Sequence, residues 1–190
     1  MTSVRLLWLL LCLLWIGAEI TLARKNRADD KNVSEREERS HRVLWLTALT
    51  GLVSALIFKT LAWTPISLEY LPRQIIALLL FAAGLGLRCS AVGRLGRFFT
   101  TNVSIQHEHA LIITGPYRWV RHPAYSGLLI ALAAAGMAMG DVIALLSLTV
   151  PSFFALVFRL GIEEGLLNKK FGAAYRDYSK TTWKLLPWLY

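Results

Sequence analysis

Two separated segments of the chain carry side chains whose types and spacing could do chemistry. The first is GPYRWVRHPAYSG, residues 115–127, where Arg121 and His122 stand among tyrosines, prolines and glycines. Pro123 suits the first turn of a helix, so Arg121 and His122 are predicted at or just before a helix N-terminus. Backbone N–H groups and the helix dipole favour an anion there. The segment therefore suits a ligand that bears a carboxylate, although a basic loop that only sets membrane topology would look similar.

The second segment is RLGIEEGLLNKKFGAAYRDYSK, residues 159–180. Arg159 and Glu163 are four residues apart and would share one helix face. The adjacent carboxylates of Glu163 and Glu164 are costly beside lipid unless they have a partner or a function. The pattern indicates either a charged site or an interfacial ion pair that contributes little.

Three aromatic residues in the second segment have the i, i+4, i+7 spacing of one helix face: Phe171, Tyr175 and Tyr178. Such a stripe beside polar residues is typical of an amphipathic helix that lies on a membrane surface. We therefore expect a short interfacial helix after the charged part of the segment.

Long apolar stretches must position these segments. The 190-residue chain is 55% hydrophobic and only 17% charged, and its mean hydropathy is +0.48. A helix of roughly 20 apolar residues crosses a hydrocarbon core of ~30 Å. The sequence predicts an all-α, polytopic membrane helix bundle of about five transmembrane helices, with spans at 4–23, 43–63, 73–93, 124–139 and 142–160. Whether the 124–160 hairpin crosses fully, and whether 4–23 is retained or cleaved, stays open.

The distribution of basic residues predicts the orientation. Residues 24–42 contain seven Lys or Arg residues and are expected to form a cytoplasmic loop, which puts the N-terminus outside. Residues 94–122 and 159–184 then also lie inside, and so does the C-terminal segment. We expect a multi-pass protein of a bacterial inner membrane or an equivalent membrane, with its active site facing the cytoplasm.

Two classes of ligand are not expected. The net charge of +9 could indicate nucleic acid, but the basic residues flank apolar spans, where they meet anionic lipid headgroups. The triplet of His107, Glu108 and His109 has two histidines at i, i+2, which do not face one metal from a helix. We therefore predict no nucleic acid and no metal.

In their order and spacing, the two segments resemble the isoprenylcysteine carboxyl methyltransferase and phospholipid methyltransferase group. The resemblance depends on GPYRWVRHPAYSG, an apolar hairpin, R-x3-EE-x2-L-x3-FG-x2-Y-x2-Y and a following LP. It implies a membrane enzyme that uses S-adenosylmethionine, bound in a cytoplasmic pocket built from the basic loop, the hairpin and the C-terminal segment. It divides the chain into N-terminal transmembrane helices, 1–92, and a catalytic methyltransferase core, 93–190.

The resemblance also implies roles for individual residues. Arg159 matches the arginine before the Glu pair and would be the catalytic residue that holds the substrate carboxylate, while Tyr175 and Tyr178 would help to bind the substrate. The residues implied in binding the cofactor are Gly115, Tyr117, His122, Tyr125, Gly127, Glu163 and Glu164.

Chemistry favours one acceptor over another. A carboxylate is already an anionic nucleophile at neutral pH, whereas an amine must lose a proton and would face Arg159. This favours methyl transfer to the carboxylate of a lipid-like, isoprenylcysteine-type substrate that enters from the bilayer. The alternatives are an amino-phospholipid N-methyltransferase, a membrane sterol-type reductase that uses NADPH and shares an RHPxYxG element, and a non-enzymatic membrane scaffold.

Overall fold

The computed structural model describes residues 2–25, 35–96 and 111–187, and these residues fold as helices joined by short connections. A 3-10 helix, Gly115–Arg118, precedes α4. The α-helices are α1 (Thr2–Lys25), α2 (Glu35–Leu61), α3 (Tyr70–Leu95), α4 (Pro123–Met139), α5 (Val142–Phe171) and α6 (Ala173–Lys180).

Four of these helices, α1, α2, α3 and α5, are long and apolar enough to cross a membrane. Helix α4 is apolar but has 17 residues, a length of about 26 Å against a hydrocarbon core of ~30 Å. The protein is therefore an all-helical, multi-pass membrane protein, as predicted. Five complete crossings stay a prediction.

Two helix boundaries differ from the sequence-based expectation. Helix α2 begins at Glu35, inside the predicted polar loop 24–42, because the Glu and Arg residues there have high helix propensity. Helix α5 runs past the predicted end of its span at 160 as far as Phe171, so it carries the apolar span and the charged segment as one helix.

The predicted aromatic stripe is interrupted. Gly172 has a φ of +53°, which ends α5 and separates it from α6. Phe171 is therefore the last residue of α5, whereas Tyr175 and Tyr178 lie in α6. The expectation of a short amphipathic helix is confirmed for α6, but the stripe does not belong to a single helix.

Helix α4 lies between α3 and α5, and α5 in turn packs against α2. The backbones of α3 and α4 approach most closely at Gly84 and Gly127. A Cβ atom on Gly84 would lie 2.6 Å from the Gly127 carbonyl oxygen and 2.9 Å from the Ala131 nitrogen. These glycines allow α4 to pack directly on the α3 backbone, and this contact fixes the position of α4 along α3.

The predicted turn at Gly140–Asp141 joins α4 to α5 and also binds the α2–α3 connection. Gly140 has a φ of +85°, and the buried Asp141 carboxylate caps α5 by accepting from the Ala144 N–H at 3.1 Å. The same carboxylate accepts from the Thr64 N–H at 2.7 Å. Burial alone would raise the pKa of Asp141, but these hydrogen bonds hold it below its ordinary value. Asp141 therefore connects the α2–α3 connection to the α4–α5 turn at the end of the bundle far from the charged segments.

The glycine crossing generates a stability prediction. Gly84→Ala is expected to lower the free energy of unfolding by about 1–3 kcal/mol, since the new methyl group meets backbone atoms that cannot move aside. Gly86, two residues further along α3, has no atom of another described part of the chain within 4 Å of a built Cβ. Gly86→Ala should therefore leave stability unchanged or raise it slightly. Thermal unfolding in detergent measures both variants, and equal melting temperatures would contradict the proposed close crossing.

Candidate functional site

The site is built around the start of α4. Pro123 is the first helical residue and His122 is the N-cap, as the sequence predicts. The His122 carbonyl accepts hydrogen bonds from the Tyr125 and Ser126 N–H groups at 3.0 and 3.1 Å. The His122 side chain is only 4% exposed, so its imidazole lies inside the protein rather than on a solvated loop.

The segment after α6 returns to this point and pairs with it. The Arg121 N–H donates to the Trp183 carbonyl at 2.7 Å, and the His122 N–H donates to the Lys184 carbonyl at 3.1 Å. The buried Ser126 hydroxyl donates to the carbonyl of Leu185, which is itself fully buried. The C-terminal segment therefore forms a wall of the site.

Glu164 is the electrostatic centre of the site. Its carboxylate lies 2.9 Å from Arg121 Nε, 3.2 Å from Lys184 Nζ and 3.5 Å from His122 Nε2. These groups come from the loop before α4 and from the C-terminal segment, while Glu164 comes from α5. The anion expected at the α4 N-terminus is thus supplied by the protein itself.

Arg121 acts as a clamp within this cluster. Besides Glu164, its guanidinium donates to the Ser179 carbonyl at 2.8 Å and to the Thr182 carbonyl. A planar guanidinium has five N–H donors and can serve several acceptors at once. Arg121 therefore holds α5, the end of α6 and the loop before α4 together, and is engaged inside the protein.

Three buried polar atoms in this region have no hydrogen-bond partner among the described residues. They are Glu163 Oε2, His122 Nε2 and the hydroxyl of Tyr175. His122 Nε2 is close to the Glu164 carboxylate, at 3.5 Å, but makes no hydrogen bond to it. The other carboxylate oxygen of Glu163 lies 3.7 Å from His122 Nδ1, beyond hydrogen-bonding distance. Because buried polar atoms are normally satisfied, this group of one carboxylate oxygen, one imidazole nitrogen and one phenolic hydroxyl indicates a place for a polar ligand.

Arg159 forms a second pole of the site, one turn of α5 before the Glu pair. It is 2% exposed, and its Nε donates to the Tyr125 hydroxyl at 2.8 Å. Its Nη1 donates to the Ser40 hydroxyl of α2 at 3.3 Å. Tyr125 thus joins the Arg159 pole to the first turn of α4, where His122 stands.

The tyrosines of α6 and the 3-10 helix line the other side of the cluster. The Tyr178 hydroxyl donates to the Tyr117 carbonyl at 2.6 Å, and the Tyr175 and Tyr178 rings are 6.1 Å apart. Burial raises the pKa of Tyr178 to about 12. Burial, followed by the nearby Glu164 charge, raises the pKa of Tyr175, and burial also raises the pKa of Tyr117. All three hydroxyls are therefore neutral at physiological pH.

The two glycines that were predicted to bind the cofactor, Gly115 and Gly127, make packing contacts in the structure. Gly115 has a φ of +65°, and a Cβ there would meet the Arg94 side chain at 3.1 Å. Gly127 faces the backbone of Gly84 at the crossing of α3 and α4. Their predicted contact with a cofactor stays a prediction.

The structure also adds residues that the sequence did not assign to the site: Ser40, Arg121 as a clamp, and Lys184. Ser40 lies in a polar stretch and Lys184 stands alone between Trp183 and Leu185, so no sequence signal distinguishes either residue. Arg121 was visible as part of the basic motif. The triplet His107–His109, for which no metal is predicted, lies outside the described residues. Among the residues that the structure describes, no group of three or more His, Cys, Asp or Glu side chains could hold a metal.

Comparison with known proteins identifies the family. Residues 72–174 match the family described as phospholipid methyltransferase. The chain is 31% identical over 143 residues to a rice (Oryza sativa subsp. indica) protein named "Probable protein-S-isoprenylcysteine O-methyltransferase", covering 74% of this chain and 72% of the relative. It is 29% identical to the protein-S-isoprenylcysteine O-methyltransferase of Schizosaccharomyces pombe, covering 73% of this chain and 64% of the relative. The chain belongs to the phospholipid methyltransferase family and is a methyltransferase.

A solved structure shares the fold. The structure of a eukaryotic intramembrane Ras methyltransferase, isoprenylcysteine carboxyl methyltransferase, is similar with a TM-score of 0.57 and 24% sequence identity. The match covers 76% of this chain and 52% of the solved chain, so this chain matches about half of that protein. The helical architecture predicted from the sequence is thus confirmed at the level of the fold.

The Arg121 clamp generates a prediction about the C-terminal wall. Arg121→Ala should speed amide exchange at His122 and Trp183 by about tenfold or more, since hydrogen bonds to charged groups contribute roughly 1.5–3 kcal/mol each. Arg118→Ala is the matched control, because Arg118 is exposed and, among the described residues, stacks on the Trp119 ring at 5.5 Å without joining the Glu164 cluster. Hydrogen exchange read by mass spectrometry compares the two. The same exchange rates in both variants would contradict the clamp.

Proposed function

We propose that this member of the phospholipid methyltransferase family transfers a methyl group from S-adenosylmethionine to the carboxylate of a lipid-tailed, isoprenylcysteine-type acceptor. One observation carries the proposal. Glu163, whose Oε2 is unsatisfied, and the buried Arg159 lie one turn apart on α5. Tyr125 accepts from Arg159 Nε at 2.8 Å and is bonded through its own N–H to the His122 carbonyl at 3.0 Å, so it links Arg159 to the second unsatisfied side chain, His122. The names of the curated relatives support the same acceptor class.

The polar atoms around Glu163 fit the donor. S-adenosylmethionine carries an ammonium and a ribose diol that donate hydrogen bonds, and a carboxylate and ring nitrogens that accept them. Glu163 Oε2 can accept, the Tyr175 hydroxyl can donate, and His122 Nε2 can do either according to its tautomer. We assign the polar groups of the cofactor to Glu163, His122 and Tyr125. When bound, the cofactor supplies a methyl group made electrophilic by its sulfonium centre.

Further residues complete the proposed cofactor pocket. Glu164 holds the basic side chains in place and keeps the pocket close to neutral. Tyr117 anchors α6 through its carbonyl, with Gly115 and Gly127 at the pocket's edges. Tyr175 and Tyr178 stay the proposed substrate-binding tyrosines. The unsatisfied hydroxyl of Tyr175 also lies near the charges of Glu164, Arg121 and Glu163, so it can serve a ligand on the cofactor side as well.

Arg159 is proposed to hold the acceptor carboxylate. A guanidinium binds a carboxylate through two parallel hydrogen bonds, which fixes both position and orientation. Tyr125 and Ser40 hold the Arg159 side chain at Nε and Nη1. Because the carboxylate is already a nucleophile, the protein needs no general base. Its tasks are to align the oxygen with the methyl group and to exclude water.

The phospholipid amine acceptor is the second candidate, since the family description names phospholipids. An amine would have to lose a proton before it reacts, and an ammonium would be repelled by the buried charge of Arg159. We therefore favour the carboxylate. The reductase alternative is not supported by the relatives, all of which carry methyltransferase names.

The basic flanking residues support a proposed orientation. We place the active site and the C-terminal segment on the cytoplasmic side, the N-terminus outside, and the protein in a bacterial inner membrane or an equivalent membrane. Residues 93–190 would form the catalytic core. The basic side chains beside the spans would meet anionic lipid headgroups.

The acceptor can be tested directly. Purified protein in lipid would be given radiolabelled S-adenosylmethionine and, in separate reactions, a farnesylated cysteine analogue or phosphatidylethanolamine. We expect label on the cysteine analogue that mild base releases, because a carboxyl methyl ester is base-labile. Base-stable label on the phospholipid would contradict the carboxylate acceptor while leaving methyl transfer intact.

The division of roles between the two poles is tested by substitution. Arg159→Ala should abolish transfer while S-adenosylmethionine binding, measured by calorimetry, stays within about threefold, because Arg159 is assigned to the acceptor. His122→Ala and Glu163→Ala should weaken cofactor binding itself. Ser40→Ala is the control for indirect effects, since it removes the hydroxyl that Arg159 Nη1 contacts and Ser40 is not assigned to the cofactor. Loss of cofactor binding in Arg159→Ala but not in Ser40→Ala would contradict the assignment of Arg159.

A further inference from the structure

Helix α1 is attached to the bundle at only a few points. The Trp8 and Trp15 rings pack edge-on against Phe81 of α3, with centroid distances of 5.1 and 5.7 Å. The large apolar side chains on the rest of the helix are mostly exposed on the surface of the bundle. The polar contacts of α1 therefore decide where it sits along α3.

One of these contacts is a two-pronged ion pair. Glu19 of α1 accepts from Arg88 of α3 at 2.5 Å (Nε to Oε1) and 2.9 Å (Nη2 to Oε2). The Trp15 Nε1–H also donates to Glu19 at 3.0 Å. The Arg88 and Glu19 side chains are only 11% and 17% exposed. Charges in an apolar span are costly alone, so removal of either partner leaves the other without its counter-charge.

Arg88 has a further contact that leads to the site. Its Nη1 donates to the Ala124 carbonyl at 3.1 Å. Ala124 lies in the first turn of α4, between His122 and Tyr125. The backbones of α3 and α4 are also close here, because a Cβ on Gly127 would lie 2.8 Å from the backbone nitrogen of Arg88. Arg88 thus ties the first turn of α4 to α3.

We propose that Glu19 is a positioning residue for the methyltransferase site. By holding the Arg88 guanidinium in one orientation, Glu19 keeps the third donor of Arg88 on the Ala124 carbonyl. The first turn of α4 is then fixed, and with it His122 and Tyr125 relative to α5. Helix α1, which lies outside the family-matched residues 72–174, would be required for cofactor binding. The inference rests on the proposed function where it concerns the cofactor.

A second polar link between the same helices provides a matched control. The Trp8 Nε1–H donates to Gln74 of α3 at 2.7 Å, and the Gln74 amide donates to the Ala138 carbonyl at 2.7 Å. This link also joins α1, α3 and α4, but at the end of α4 that carries none of the site residues. Trp8→Phe removes the connection to α1 there and keeps an aromatic ring against Phe81.

The experiment compares Glu19→Gln, Arg88→Met and Trp8→Phe in full-length protein in lipid. Calorimetry with S-adenosylmethionine gives the dissociation constant, hydrogen exchange without cofactor follows the Tyr125 and Ser126 amides, and thermal unfolding gives stability. Glu19→Gln and Arg88→Met should raise the dissociation constant by about tenfold or more, as small misplacements of site residues have large effects. Both should also speed exchange at the two amides. Trp8→Phe should lower the melting temperature but leave the dissociation constant within about twofold.

The outcomes separate this inference from the proposed function. Glu19→Gln with normal exchange at Tyr125 and Ser126 would overturn the positioning role, whether or not the protein binds the cofactor. Equal weakening of cofactor binding by Glu19→Gln and Trp8→Phe would also overturn it, because α1 would then act only through stability. Wild-type protein that does not bind S-adenosylmethionine would contradict the proposed function, while the exchange measurement would still decide whether Glu19 orders α4.

Discussion

The structure depends on the neutralisation of charge at the end of a membrane helix. Glu164 lies on the same continuous helix as an apolar span, just past the span, and its side chain is only 18% exposed, so it would be unfavourable without partners. Its partners, Arg121, His122 and Lys184, come from two different parts of the chain. The loop before α4 and the C-terminal segment must therefore meet over α5, and this meeting forms the candidate site. One electrostatic requirement thus explains why distant segments converge.

The site has two poles because α5 carries two kinds of charge one turn apart. The Glu pole is partly unsatisfied, which is appropriate for a ligand with several polar groups. The Arg159 pole is fully buried and held by hydroxyl groups, which leaves its position well defined. Tyr125 contacts Arg159 with its hydroxyl and is bonded to His122 through its backbone. Changes at one pole are therefore expected to be felt at the other through this single side chain.

The sequence predicted the parts of the fold that depend on local properties. Hydropathy located the apolar helices, Pro123 located the start of α4, and Gly140–Asp141 located the turn. Helix ends were less predictable: the apolar signal stops at 160, whereas helix propensity and tertiary contacts carry α5 on to Phe171. The break at Gly172 depends on one backbone angle. The partners of Glu164 could not be predicted, since the pairing of Arg121 with a residue 43 positions away is set by tertiary structure alone.

The length of α5 has a consequence for the proposed acceptor. A helix of 30 residues is about 45 Å long, which exceeds the ~30 Å hydrocarbon core. Measured from the start of α5, Arg159 lies at about 26 Å and Glu164 at about 33 Å. With the start of α5 placed at one boundary of the hydrocarbon core, Arg159 would lie near the opposite boundary and the Glu pair just beyond it. In the proposed reaction, an amphiphile could leave its tail among the lipids and present its polar end to Arg159, while a water-soluble cofactor would approach Glu163 from the aqueous side.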